Sequence, residues 1–126
     1  MSTEKTDLKD RTFLYARRII RLFSALPKTE VARILGKQFL RSGASVGANY
    51  REAFRSRSRA EFLAKTGDSL KEIEETAYWL ELLEAESIVK SARLAPLIDE
   101  TRQLIAIFAT ITKTTKTRSL SALPTS

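Results

Sequence analysis

The stretch Gln38–Arg59, QFLRSGASVGANYREAFRSRSR, decides how this chain folds. It reads as the second half of a long helix and the turn that ends it. Gly43 and Gly47 stand four apart, with Ser42, Ala44, Ser45 and Ala48 around them. A glycine costs about 1 kcal/mol relative to alanine in a helix interior. Two on one face therefore point to the close approach of another backbone, from the same bundle or from a second subunit. Asn49 and Glu52 lie one turn apart on a face expected to be largely covered. Arg41, Arg51, Arg55, Arg57 and Arg59 place positive charge along this helix and just beyond it.

Working outward, the helix extends back to about Lys28, giving a span of roughly 40 Å over residues 28–55. At about 100° per residue its side chains sort into sectors. Leu35, Phe39, Val46, Tyr50 and Ala53 face the core. Gly36, Leu40, Gly43, Gly47 and Phe54 form the adjacent sector. Gln38, Ser42, Ser45, Asn49 and Glu52 flank the core sector on its other side. Arg33, Lys37, Arg41, Arg51 and Arg55 make a basic stripe opposite the core, with Ala44 and Ala48 filling its gap. That is more covered surface than an ordinary surface helix needs.

Before it, Leu8, Thr12, Tyr15, Ala16, Ile19, Leu22, Phe23 and Leu26 recur at steps of three and four, which predicts a first helix over about 7–26. Pro27 is expected to end it, because the residue before a proline avoids the α region. After it, Ser58-Arg59-Ala60-Glu61 is a capping box. It opens a third helix over about 59–85, with a core stripe of Phe62, Leu63, Thr66, Leu70, Ile73, Ala77 and Leu80. Glu61, Asp68, Glu72 and Glu75 form an acidic face opposite that stripe. A fourth helix, about 93–116, carries Leu94, Leu97, Ile98, Leu104, Ile105, Phe108 and Ile111, with Pro96 expected in its first turn. Residues 1–6 and 117–126 are expected to be tails. Four amphipathic helices, short connections and no strand signal predict one all-α domain, an antiparallel up-down-up-down four-helix bundle.

Composition narrows the chemistry. The 126 residues suffice for one domain with a hydrophobic core. The net charge is +7, and it is unevenly spread: +8 over residues 1–57, −4 over 58–90 and +3 over 91–126. Such a balance favours a polyanionic partner. With no histidine and no cysteine, the chain makes no Cys/His zinc site, no Ser-His-Asp triad, no cysteine nucleophile and no disulfide. The longest charge-free run, Gln103–Thr112, is far short of the ~20 residues that span a bilayer. The N-terminal MSTEKTDLKDR has no apolar signal core. A cytoplasmic, bacterial-type protein is expected, with no cofactor, no metal, no membrane and no small-molecule substrate.

A resemblance rests on three runs: Leu26-Pro27, RSGASVGANYREAFRSRSRAEF from Arg41 to Phe62, and GDSLKEIEE from Gly67 to Glu75. They resemble the 23S rRNA intervening-sequence protein family, small bacterial four-helix-bundle proteins. The family pattern falls on Arg41, Ser45-Val46, Asn49, Glu52, Ser58 and Ser69-Leu70-Glu72. Ala53 stands where the family usually has glycine, and Tyr50 where it usually has isoleucine. The family is in turn similar to the accessory variability determinant of diversity-generating retroelements, a ring-shaped pentamer that works with nucleic acid and a reverse transcriptase. The resemblance implies a homo-oligomer, with a pentamer favoured, and speaks to fold more than to activity. A role that is not enzymatic is expected because Asn49 and Glu52 read as structural rather than as a catalytic pair.

Three functions compete. The first is nucleic-acid binding, RNA before DNA, through Arg33, Lys37, Arg41, Arg51, Arg55, Arg57 and Arg59. The second is an oligomeric protein–protein scaffold in which the basic stripe pairs with the acidic face of a neighbouring subunit. The third, a magnesium nuclease using Glu52 and Glu72, is remote. Ser45, Asn49, Glu52 and Glu72 are read as a structural polar network, since buried polar groups need partners. The resemblance also offers Arg41 to this network, as an alternative to its place in the basic set. The positive excess of residues 1–57 is larger than the acidic face can neutralise, which favours the first reading.

Overall fold

The computed structural model describes residues 4–121, with side chains from 8 to 115. It contains four helices: α1 (Glu4–Ser24), α2 (Glu30–Phe54), α3 (Arg59–Ala85) and α4 (Ser91–Ser121). Among the described residues there is no strand. None of the described helices is long and apolar enough to cross a membrane.

The helix ends follow local chemistry. Thr29 caps α2, its hydroxyl accepting from the Ala32 N–H at 3.2 Å, so α2 starts after the proline turn rather than at Lys28. The α2–α3 turn closes as the capping box requires. Ser58 Oγ accepts from the Glu61 N–H, and the Glu61 carboxylate accepts from the Arg57 N–H, both at 3.0 Å. At the end of α3, Ser87 has φ 55°, while Ile88 N–H bonds to Leu83 O and Ser87 N–H to Glu84 O. This is a Schellman stop with serine in the left-handed position that usually takes glycine.

Three expectations about helix ends change. The first helix begins at Glu4, inside the segment read as a tail, and the last continues to Ser121. Extending a formed helix costs one residue's freedom for one further hydrogen bond, so both ends run on. The remaining parts of both tails lie outside the described residues. Pro96 is the sixth residue of α4 and so falls in its second turn. The ring removes one backbone bond there and the helix tolerates it.

Contacts along α2 show that it runs antiparallel to both α1 and α3. Moving up α2 through Gly36, Gly43 and Gly47, the side chains met fall from Leu26, just past α1, and Phe23 to Ile19 and then Thr12 on α1. Moving up α2 through Ser42, Val46 and Glu52, the partners on α3 fall from Thr76 to Ser69 to Lys65. Tyr15, Ile19, Phe39, Val46, Tyr50, Ile73, Leu80, Leu83, Leu94, Leu104 and Phe108 fill the core. Side-chain pairs tie α1 to α4. Tyr15 Oη and Thr101 Oγ1 share a buried hydrogen bond of 2.7 Å, and burial raises the phenol pKa. Arg11 grips Glu100 with two N–H donors, at 2.7 and 3.1 Å.

Candidate nucleic-acid interface

The glycine sector of α2 faces α1 of its own bundle. A Cβ on Gly43 would stand 2.8 Å from two carbons of Ile19, which is fully buried. One on Gly47 would meet Thr12 Oγ1 at 3.1 Å and its backbone oxygen at 3.3 Å. The missing side chains let α1 lie against α2. A second subunit is not needed to explain them.

The opposite flank of α2 packs on α3 through hydroxyls. Thr76 Oγ1 lies 2.8 Å from Ser42 Oγ, and Ser69 Oγ donates to Val46 O at 2.9 Å. Ser42, Thr66, Ser69 and Thr76 are all buried. Thr66, Ser69 and Thr76 take core positions in a 3-4-3-4-3 register on α3 (66, 69, 73, 76, 80, 83). A stripe drawn through apolar residues alone passes over Ser69 and Thr76; the register itself is the signal that includes them.

The anticipated network of Ser45, Asn49, Glu52 and Glu72 does not form as one unit. Ser45 Oγ donates to Arg41 O within its own helix at 2.7 Å. Asn49 is half-buried. Glu52 is exposed and pairs with Lys65 at 2.7 Å; that hydrogen bond holds its carboxyl below the usual range and raises the Lys65 pKa. Glu72 pairs instead with Arg41, at 3.3 Å. The two carboxylates therefore serve different cations, and the α3 members of the two pairs, Lys65 and Glu72, are separated by about 10 Å of helix rise. Glu52 is reached by water because it sits in the last turn of α2, where α3 has only begun to run alongside.

Arg41 leaves the basic stripe. Its guanidinium spans Glu72 and Glu75, the latter at 2.6 Å. Glu75 Oε2 also accepts from Trp79 Nε1 at 3.0 Å. The Trp79 and Arg41 bonds hold the Glu75 carboxyl below its usual range, and Glu75 in return raises the Arg41 pKa. Basic and acidic stripes thus meet here within one chain. Arg33, Lys37, Arg51 and Arg55 remain on the exposed surface of α2, with no salt bridge to a described residue. Arg57 and Arg59 lie beyond the helix end. They line an open cleft of about 1210 Å³ at the end of the bundle, with Leu8, Phe62, Ile107 and Ile111. The seven basic residues are thus split into an α2 stripe of four, one cation paired in cis, and two at the bundle end.

The structure adds aromatic rings that the α2 sequence does not place in the stripe. Phe13 of α1 and Phe54 of α2 are 51% and 41% exposed. The Arg51 guanidinium carbon is 5.2 Å from the Phe13 ring centroid, and Lys9 Nζ is 5.0 Å from that of Phe54. Each cation lies over the ring of the other helix. No spacing within α2 reveals Phe13, because the pairing depends on how α1 and α2 are aligned. Leu14, Ile20, Val31, Ile34 and Tyr78 are also exposed.

A model of the 23S rRNA-intervening sequence protein family matches residues 4–110. The chain is also similar to a solved protein of unknown function from the S23 ribosomal protein family of Bacteroides thetaiotaomicron. The identity is 34% and the TM-score 0.82, over 88% of this chain and 99% of that one. No curated protein matches.

Proposed function

The chain belongs to the 23S rRNA-intervening sequence protein family, and from that premise we propose that it is a non-enzymatic protein of the cytoplasm that binds RNA through the basic face of α2. The observation that carries this reading is the state of the charges. Arg41 is compensated within the chain, whereas Arg33, Lys37, Arg51 and Arg55 are exposed on α2 without a salt bridge to a described residue. Like charges on one arc repel one another, and a phosphate chain relieves that repulsion while releasing its condensed counterions. The excess of +8 over residues 1–57 has the same sign and location.

The protein acts as a homo-oligomer, with a pentamer favoured, so that several basic faces act on one strand. Val31 and Ile34, three residues apart on α2, are both exposed apolar side chains that an assembly would take out of water. The scaffold alternative keeps the oligomer and drops the RNA. It is weakened where Arg41 already takes Glu72 and Glu75 in cis, because a neighbour's basic stripe then finds fewer free carboxylates.

The test is a salt-resolved RNA-binding titration with light scattering on the same sample. Four phosphate contacts to a single strand give a slope of about −3 in log affinity against log salt. Arg51→Glu combined with Arg55→Glu is expected to abolish RNA retention and leave the oligomer intact. A variant that loses the oligomer, beside a wild type with no salt-sensitive RNA binding, overturns the proposal in favour of the scaffold. A wild type that scatters only as a 14.2 kDa species overturns the assembly.

A further inference from the structure

From the pairing of exposed rings with cations across the α1–α2 seam, we infer that Phe13 and Phe54, with Arg51 and Lys9, form a stacking platform for unpaired bases of a single RNA strand. The inference rests on the RNA-binding reading above and names the form of RNA that this face takes.

The four side chains make a crossed quartet. Each helix supplies one ring and one cation, and each cation lies over the ring of the other helix. One of the two rings, that of Phe54, is held from below. Phe54 lies 5.8 Å from the buried Tyr50, which meets the buried Phe108 edge-on at 5.7 Å, so the platform is tied to the core. Burial pushes the Tyr50 phenol up to about 12, so it stays neutral beneath the platform at ordinary pH. Around the quartet, Arg17 and Arg55 are exposed cations, while Asp10, three residues before Phe13, is an exposed carboxylate. The balance remains positive.

Single-stranded nucleic acid asks for this combination: cations for the phosphates and flat apolar or guanidinium surfaces for the bases. A duplex hides its base faces and leaves phosphates, 2′-hydroxyls and base edges, none of which stacks on a ring. The quartet suits a protein partner less well. Phenylalanine and arginine are common in protein interfaces and lysine is not, but the acidic face that a second copy would bring already serves its own Arg41 through Glu72 and Glu75.

The experiment compares Phe13→Leu/Phe54→Leu with wild type, using a labelled single-stranded RNA oligonucleotide and a duplex of the same length. Leucine keeps the apolar character and removes the π face. Stacking is worth about 1–3 kcal/mol per base, so the expected result is a tenfold or larger loss for the single strand. Duplex binding, the salt slope and the oligomer are expected to stay unchanged. Equal losses for both RNAs, or no loss, overturn the platform and leave phosphate binding standing. Absence of binding to either RNA by wild type overturns the reading beneath it. An altered oligomer with single-strand binding intact identifies the face as a contact between copies and overturns the platform too. Ultraviolet cross-linking of the wild-type protein to the same single strand does not depend on how the variant folds. The proposal expects nucleotide adducts on Phe13 or Phe54; adducts confined to other elements overturn it.

Discussion

The helix α2 has two seams, and they are built from opposite chemistry. Against α1 it presents Gly36, Gly43 and Gly47, and closeness comes from side chains that are missing. Against α3 it presents Ser42 and the Val46 carbonyl, and the contact is fixed by hydroxyls on Thr76 and Ser69. The first seam is a matter of volume and tolerates no addition. The second is a matter of directed bonds and tolerates no unpaired group. A helix flanked on both sides therefore distinguishes its neighbours by chemistry: α1 packs against the glycines and α3 satisfies the hydroxyls.

Adding volume to the first seam gives the largest expected effect. Gly43→Val drives its side chain into Ile19, and overpacking of this kind costs about 3 kcal/mol, read as a fall in the urea midpoint. Gly67 is the matching control, since nothing lies within 4 Å of a Cβ built there. Gly67→Ala is expected to stabilise the protein by about 1 kcal/mol through helix propensity. If the two substitutions shifted the midpoint alike, the α1 seam would not be volume-limited and the comparison would fail.

Removing one bond from the second seam ranks next. Ser69→Ala deletes the donor to Val46 O at a cost of about 1 kcal/mol, visible in the same denaturation curves. A cost equal to that of Gly43→Val would mean that the hydroxyls act as a cooperative network rather than as separate bonds.

The smallest expected effect is a pH dependence confined to the α3 side. The Glu75 carboxyl titrates below its ordinary value of 4.5, through Trp79 and then Arg41. A depressed carboxyl contributes stability that is complete above the unfolded pKa and is lost as pH falls through the folded one. Arg41 stays charged throughout, its own pKa being raised. The melting-temperature difference between wild type and Arg41→Met should therefore shrink on acidification from about pH 6 to about pH 3. Gly43, Gly47, Ile19 and Thr12 carry no titrating group, so Gly43→Val should keep its deficit over that range. A constant wild-type advantage over Arg41→Met would place the contribution of Arg41 in packing rather than in its ion pairs.

Much of this was legible in the chain itself. Helix number, the capping box at Ser58 and Glu61, the core positions of Phe39, Val46 and Tyr50, and the basic stripe all follow from periods and short motifs, which one helix imposes on its own residues. The Gly43/Gly47 spacing showed that a backbone comes close. What it could not show is which backbone, because the side chain that a glycine makes room for lies on another element. The same limit separates Glu52 from Glu72, adds Glu75 to the Glu72 that the family motif already placed with Arg41, and brings Phe13 to Arg51. Residue order sets the angle of a side chain about its own helix axis; the rotation and offset of one helix against the next are set by packing all four together, and only that packing decides which charges are paired and which rings are left in water.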